Sequence, residues 1–197
     1  MNFSDRLAEQ IQQKQNPSLL GLDPKLEYIP DSIKKKAFEK NTSKYKAAAQ
    51  SIVEFNTRLV DAVYDIIPAV KPQLAYYEMY GPEGVWAFYE TVRYAGTKGL
   101  LVIADGKRND IGSTAEAYAS AYLGRTDMGG QKEKVFDADA LTVNGYLGID
   151  GVKPFIKVCE EHQKGIFILV KTSNPSSGQL QDLNLADGRT IYEAMAD

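Results

Sequence analysis

Five short runs of aliphatic residues recur along this chain, and each is followed by a helix or by a stretch long enough to hold one. They are "SLLGLD" (18–23), "AVKPQ" (69–73), "GLLVIAD" (99–105), "ADALTVNGY" (138–146) and "GIFILVKTS" (165–173). A strand that is apolar along nearly its whole length is buried on both faces, and strands that alternate with helices build a parallel sheet covered by those helices. Two architectures meet that description: an open doubly wound sheet and a (β/α)8 barrel. A dinucleotide-binding sheet needs G-x-G-x-x-G after its first strand, and "GLDPKL" does not supply it. Polar residues gather instead at the C-terminal ends of several different strands: Asp23, Lys71, Asp105 with Lys107, Asn144, and Lys171 through Asn174. Barrel active sites are assembled in this way, from βα loops that meet on one face, so a barrel is the expected architecture.

The helices can be placed between the strands. Ser4 is positioned to cap a first helix with Leu7 and Ile11 on one side, ended by Asn16-Pro17. Asp31 opens a helical region in which Ile52, Phe55, Leu59, Val63 and Ile66 form an apolar stripe, and Pro68 ends it. A further helix is expected from Glu83 to Tyr94, closed by Gly96, with Trp86, Phe88 and Tyr89 assigned to packing. Ser113 and Glu116 match a capping box, which starts the next helix near Thr114. Residues 124–134 are a polar connection, Asp150–Glu161 a helix and 174–189 an irregular loop. Thr190 and Glu193 form a second capping box, only a turn or so before Asp197. Five strands cannot close an eight-stranded barrel, which typically needs about 250 residues, and a half-open sheet leaves an apolar edge exposed. The expectation is therefore one domain over residues 1–197, a partial barrel of about five βα units belonging to a longer protein.

Composition removes several functional classes. With 23 basic and 26 acidic residues the chain carries a net charge of −3, against the basic excess of a nucleic-acid binder. No run approaches the roughly 18 apolar residues of a membrane span, and "MNFSDRLAEQIQQKQ" lacks the apolar centre of a signal peptide, so a cytoplasmic location is expected. A single cysteine, Cys159, excludes an internal disulfide. A single histidine, His162, excludes a His-rich metal site, and in "CEEHQKG" it fits a cation near a helix C-terminus.

The strongest chemical signal is "ADGKRND", where a buried strand delivers Asp105, Lys107, Arg108 and Asp110 to one turn. Lys71 ends a different strand, and neighbouring strand ends lie side by side. Lys71, Asp105, Lys107 and Asp110 can then alternate in sign around one pocket. An ammonium held beside a carboxylate away from water can protonate a developing carbanion. A fixed carboxylate facing an anionic substrate group repels it less once that group leaves as CO2. Decarboxylation followed by protonation uses both functions and requires no metal.

At these residues the chain resembles the orotidine 5'-phosphate decarboxylase family, in particular its longer bacterial branch. "GLDP", "VKPQLAYYE", "IADGKRNDIGST", "ADALTVNGYLG" and "VKTSNPSS" occur in the family's order along the whole chain. The resemblance implies a homodimeric (β/α)8 barrel, without a cofactor or metal, that converts orotidine 5'-monophosphate to UMP in de novo pyrimidine synthesis. It implies that Lys107 protonates C6, that Asp105 faces the departing carboxylate, and that Lys71 hydrogen-bonds the ribose and holds Asp105. Asp110, with Ile111 and Thr114, would reach into the neighbouring subunit's site. Asp23 would bind a ribose hydroxyl, and Ser173, with Asn174 beside it, would contact the pyrimidine. In this family the phosphate is gripped mainly by loops after the seventh and eighth strands, including a late arginine. Arg189 lies too early to stand in for it, so the 197-residue chain alone is expected to turn over weakly or not at all. Two alternatives stand beside this reading. One is a Mg²⁺-dependent sugar-phosphate decarboxylase or synthase of the same superfamily, whose members carry an acid where Lys71 stands; the other is a non-catalytic fragment that keeps only the dimer interface.

Overall fold

A computed structural model describes residues 1–197, in which five parallel strands form one sheet. Strands β1 (Leu19–Leu22), β2 (Ala69–Pro72), β3 (Leu101–Arg108), β6 (Ala140–Asn144) and β7 (Gly165–Leu169) follow one another in space in their chain order. The two remaining strands, β4 (Thr126–Asp127) and β5 (Lys132–Glu133), pair as a small antiparallel hairpin inside the polar connection. A sheet order that never reverses has no switch point. Right-handed crossovers then carry every connecting helix to the same face, which is barrel rather than doubly wound geometry. The arrangement is that of the first five βα units of a (β/α)8 barrel.

The helical layer comprises α2 (Asp31–Lys40), α3 (Lys44–Val63), the short α4 (Ala75–Glu78), α5 (Gly81–Thr97), α6 (Gly112–Tyr122) and α7 (Ile149–His162). Side chains alternate along each strand, so Val70, Val102, Ala104, Leu141 and Val143 face these helices in the main core. Within that core Tyr77, Phe88, Tyr122 and Phe136 pack edge-on or stacked, with ring centroids 4.9–6.3 Å apart. The opposite parity, Ala69, Leu101, Ile103 and Ala140, faces the barrel interior and meets Phe3 of α1 (Phe3–Lys14), which plugs the N-terminal end of the sheet. Phe3 lies against Gly165, where a Cβ would stand 2.4 Å from its ring, so β7 carries its glycine at the point of contact.

Several helix ends differ from the sequence expectation. The first helix is capped by Asn2, whose side chain accepts the Asp5 N–H at 2.8 Å; Ser4 lies inside it. The long helix stops at Val63, leaving Ile66 52 % exposed while Ile67 enters the core. Gly96 is helical, and the turn falls at Gly99, whose φ of +78° only glycine adopts freely. Of the three aromatics assigned to packing on that helix, Phe88 is fully buried, whereas Trp86 and Tyr89 are exposed. The helix expected near Thr114 starts at Gly112, with Ile111 in the cap position and no side-chain cap. The capping box at Thr190 forms as expected, opening α8 (Ile191–Ala196). No helix is long and apolar enough to cross a membrane.

Candidate active site

The inward parity that is apolar at the bottom of the sheet becomes charged at the top. On β2 it continues from Ala69 to Lys71 and Gln73, on β3 from Ile103 to Asp105, and on β6 from Ala140 to Thr142. Asp105 is 6 % exposed, and its carboxylate receives four hydrogen bonds. Oδ2 accepts from Lys71 Nζ at 2.9 Å and Gln73 Nε2 at 2.8 Å. Oδ1 accepts from Lys107 Nζ at 2.6 Å and the Thr142 hydroxyl at 2.8 Å. Burial alone pushes the Asp105 carboxyl up, but hydrogen bonds from Lys107, Lys71 and Thr142 outweigh it and hold the group below the usual carboxylate range. The site therefore keeps one ionised carboxylate between two ammonium groups.

The β3–β6 ladder explains how Lys107 reaches this place. Ile103 pairs with Ala140 and Ala104 with Leu141, but Arg108 pairs with Val143, so the register breaks across Asp105, Gly106 and Lys107. Lys107 takes a left-handed backbone, φ +47°, uncommon for a side-chain-bearing residue, and its N–H donates to the Thr142 hydroxyl at 2.9 Å. Arg108, which the sequence groups with the other charges, is turned into the helical layer. Its guanidinium lies 5.5 Å from the ring centres of Tyr118 and Tyr122, donates to the Tyr122 hydroxyl at 2.9 Å and pairs with Glu78.

Of the expected site residues, Lys71, Asp105 and Lys107 meet directly. Asp110 does not join them within one chain: its carboxylate accepts the Ile111 N–H at 2.8 Å and forms no ion pair. Ile111 and Thr114 are exposed at the start of α6, and Asp23 is exposed just beyond β1. Ser173 and Asn174 are exposed after β7, where Asn174 accepts from the Thr172 hydroxyl and donates to Ser176. Gln73 and Thr142 carry no role in the sequence reading. Their signal was available in strand parity, since each is a polar residue that shares a face with the charged cluster. The largest cavity, about 780 Å³, opens at the opposite end of the sheet. Most of its charges are paired (Arg6 with Asp139, Lys134 and Lys164 with Asp137, Arg93 with Glu90), so the chemistry is assigned to the charged strand tips instead.

Fold and site together define part of a (β/α)8 barrel whose charged cluster sits at the C-terminal ends of parallel strands. A family model described as orotidine 5'-phosphate decarboxylase / HUMPS family matches residues 20–197. The chain belongs to that family. Among curated proteins it is 43% identical over 197 residues to the orotidine 5'-phosphate decarboxylase of Caldicellulosiruptor saccharolyticus, and 44% identical over 197 residues to that of Rhodopirellula baltica. It spans all of its own length but only 64% and 63% of those two relatives. Among solved structures, a putative orotidine 5'-phosphate decarboxylase from Streptomyces avermitilis superposes with a TM-score of 0.77 at 32% identity, over 98% of this chain and 61% of that one. The OMP decarboxylase of Leishmania donovani superposes with a TM-score of 0.73 at 32% identity, over 100% of this chain and 64% of that one.

Proposed function

We propose that this site removes CO2 from orotidine 5'-monophosphate and returns UMP, in the cytoplasm, in a homodimer whose sites are shared between subunits. The observation that carries the reading is the buried Asp105 carboxylate held ionised between Lys71 and Lys107. A substrate carboxylate placed against Asp105 is repelled, and the repulsion is relieved as the bond to C6 breaks. The electron pair stays on C6, CO2 departs, and the Lys107 ammonium gives a proton to that carbon. Lys107 points one proton at Asp105 and is 46% exposed, so its remaining protons are available on the side where substrate enters. Lys71 and Gln73 fix the other carboxylate oxygen, so the charge does not rotate away from the substrate.

The site's donor set also separates this reaction from metal-assisted chemistry within the superfamily. All four lone-pair positions of Asp105 are taken by N–H or O–H donors, and an ammonium stands where Mg²⁺ would require an oxygen ligand. Shared sites are supported by Asp110, a carboxylate left without a cation inside its own chain. The test is single turnover with the full-length protein in excess of carboxyl-labelled substrate, with and without EDTA. Labelled CO2 and UMP should appear in equal amounts, at a rate unchanged by EDTA, and Lys107→Ala should lose the reaction while keeping most nucleotide affinity. Release no faster than in Lys107→Ala overturns the reading.

A further inference from the structure

Thr142 touches both reactive side chains' supports at once. Its hydroxyl oxygen accepts the Lys107 N–H at 2.9 Å, and its hydroxyl proton goes to Asp105 Oδ1 at 2.8 Å. A hydroxyl has one proton. Because the Lys107 amide can only donate, that proton is committed to Asp105, which must then act as an acceptor. Thr142 is only 9% exposed, so water does not compete freely for either bond. The amide it satisfies lies where the β3–β6 register breaks, on a lysine at φ +47°. Gln73 also donates to Asp105, but its side chain does not reach Lys107.

We propose that Thr142 is a positioning residue for the decarboxylation: through one hydroxyl it locks the β3 kink that presents Lys107 and fixes the Asp105 oxygen beside the Lys107 ammonium. The inference rests on the decarboxylase reading for its kinetic consequence, and on geometry alone for its structural one. Thr142→Val keeps the shape and removes both bonds, leaving the Lys107 N–H without a partner and Asp105 with one donor fewer. Misplacing a proton donor by a fraction of an ångström to an ångström costs up to about 100-fold in rate.

The experiment compares the parent chain with Thr142→Val, Thr142→Ala and Thr142→Ser. With Thr142→Val the turnover number should fall about 10- to 100-fold while KM moves by less than about threefold, and Thr142→Ser should recover most of the loss. In parallel, the Asp105 carboxyl is titrated by carbon-13 NMR, assigned with Asp105→Asn, and Lys107 amide exchange is followed. Thr142→Val should raise the titration midpoint and speed exchange of that amide, and Thr142→Ser should reverse both. Should Thr142→Val fail to fold by circular dichroism, Thr142→Ala carries the same readouts. A parental turnover number, a rise in KM alone, or lost turnover with an unmoved Asp105 midpoint overturns the proposal. If the parent releases no CO2, the decarboxylase reading fails, and the NMR arm decides: a raised midpoint restored by serine sustains the positioning role, and an unmoved midpoint ends it.

Discussion

The Asp105 carboxylate accepts four hydrogen bonds, two of them from ammonium groups, in a place almost closed to solvent. Asp105→Asn keeps its outline but brings an amide NH2 toward one of those ammonium groups and removes the charge that balances both. Turnover should fall by at least about 100-fold and the melting temperature should drop, since removing one partner of a paired site strands the others. The pH dependence has a definite sign. The folded-state carboxyl lies below its ordinary value, so its stabilisation is fully present above the unfolded value of about 3.9. It is lost as pH falls through the lowered folded value. Urea unfolding measured downward from pH 5 should show the parent losing stability across this window more steeply than Asp105→Asn. At this scale the sequence revealed the titratable members of the cluster. Strand parity put Gln73 and Thr142 on the face of the charged cluster, but nothing in their local sequence says that their amide and hydroxyl will meet at the same carboxylate.

Among the elements, β3 shows how a strand can be read correctly while its end is not. The run Leu100–Ala104 identifies a buried strand, but the register break that follows it depends on β6, a partner 37 residues away. The helix pair α4 and α5 gives a test of tertiary contact against intrinsic propensity. Replacing a helical glycine with alanine ordinarily stabilises by about 1 kcal/mol. At Gly84, however, a Cβ would meet the Tyr77 carbonyl oxygen at 1.9 Å, a backbone atom that cannot step aside. Gly84→Ala should therefore destabilise the fold by about 1–3 kcal/mol in urea titration. A gain in stability would show that α4 and α5 do not approach as described. The first helix end likewise differs from the local pattern: Asn2 rather than Ser4 is the cap, and Phe3 between them packs into the barrel interior.

For the whole molecule, the charged cluster and the Phe3 plug occupy opposite ends of one inward-facing set of positions, apolar below and ionic above. That polarity separates the proposed chemistry from the apolar packing in space. Asp110 and Ile111 lie outside the cluster, at the exposed start of α6. In the proposed shared-site dimer they complete a neighbour's site, which makes a mixing experiment decisive. Asp110→Ala and Lys107→Ala proteins, each inactive alone, should regain up to about a quarter of parental activity when unfolded and refolded together, because one site in the mixed dimer escapes both substitutions. Equal inactivity before and after mixing would place Asp110 in its own chain's site.

What the sequence determined by itself were features written in short-range pattern: five strands, of which the central three are buried while β1 and β7 leave Leu19, Phe167 and Ile168 exposed at the sheet edges, the helices between them, the barrel rather than the dinucleotide sheet, and the acids and bases at the strand tips. These follow from side-chain periodicity and from burial of apolar runs, which neighbouring residues encode. The tertiary structure alone decided which polar groups meet. It turned Arg108 away from the cluster, left Asp110 outside it, and drew in Gln73 and Thr142. Those outcomes depend on strand register and on a bulge between residues distant in the chain, and register is set by how whole faces pack rather than by the residues that end up touching.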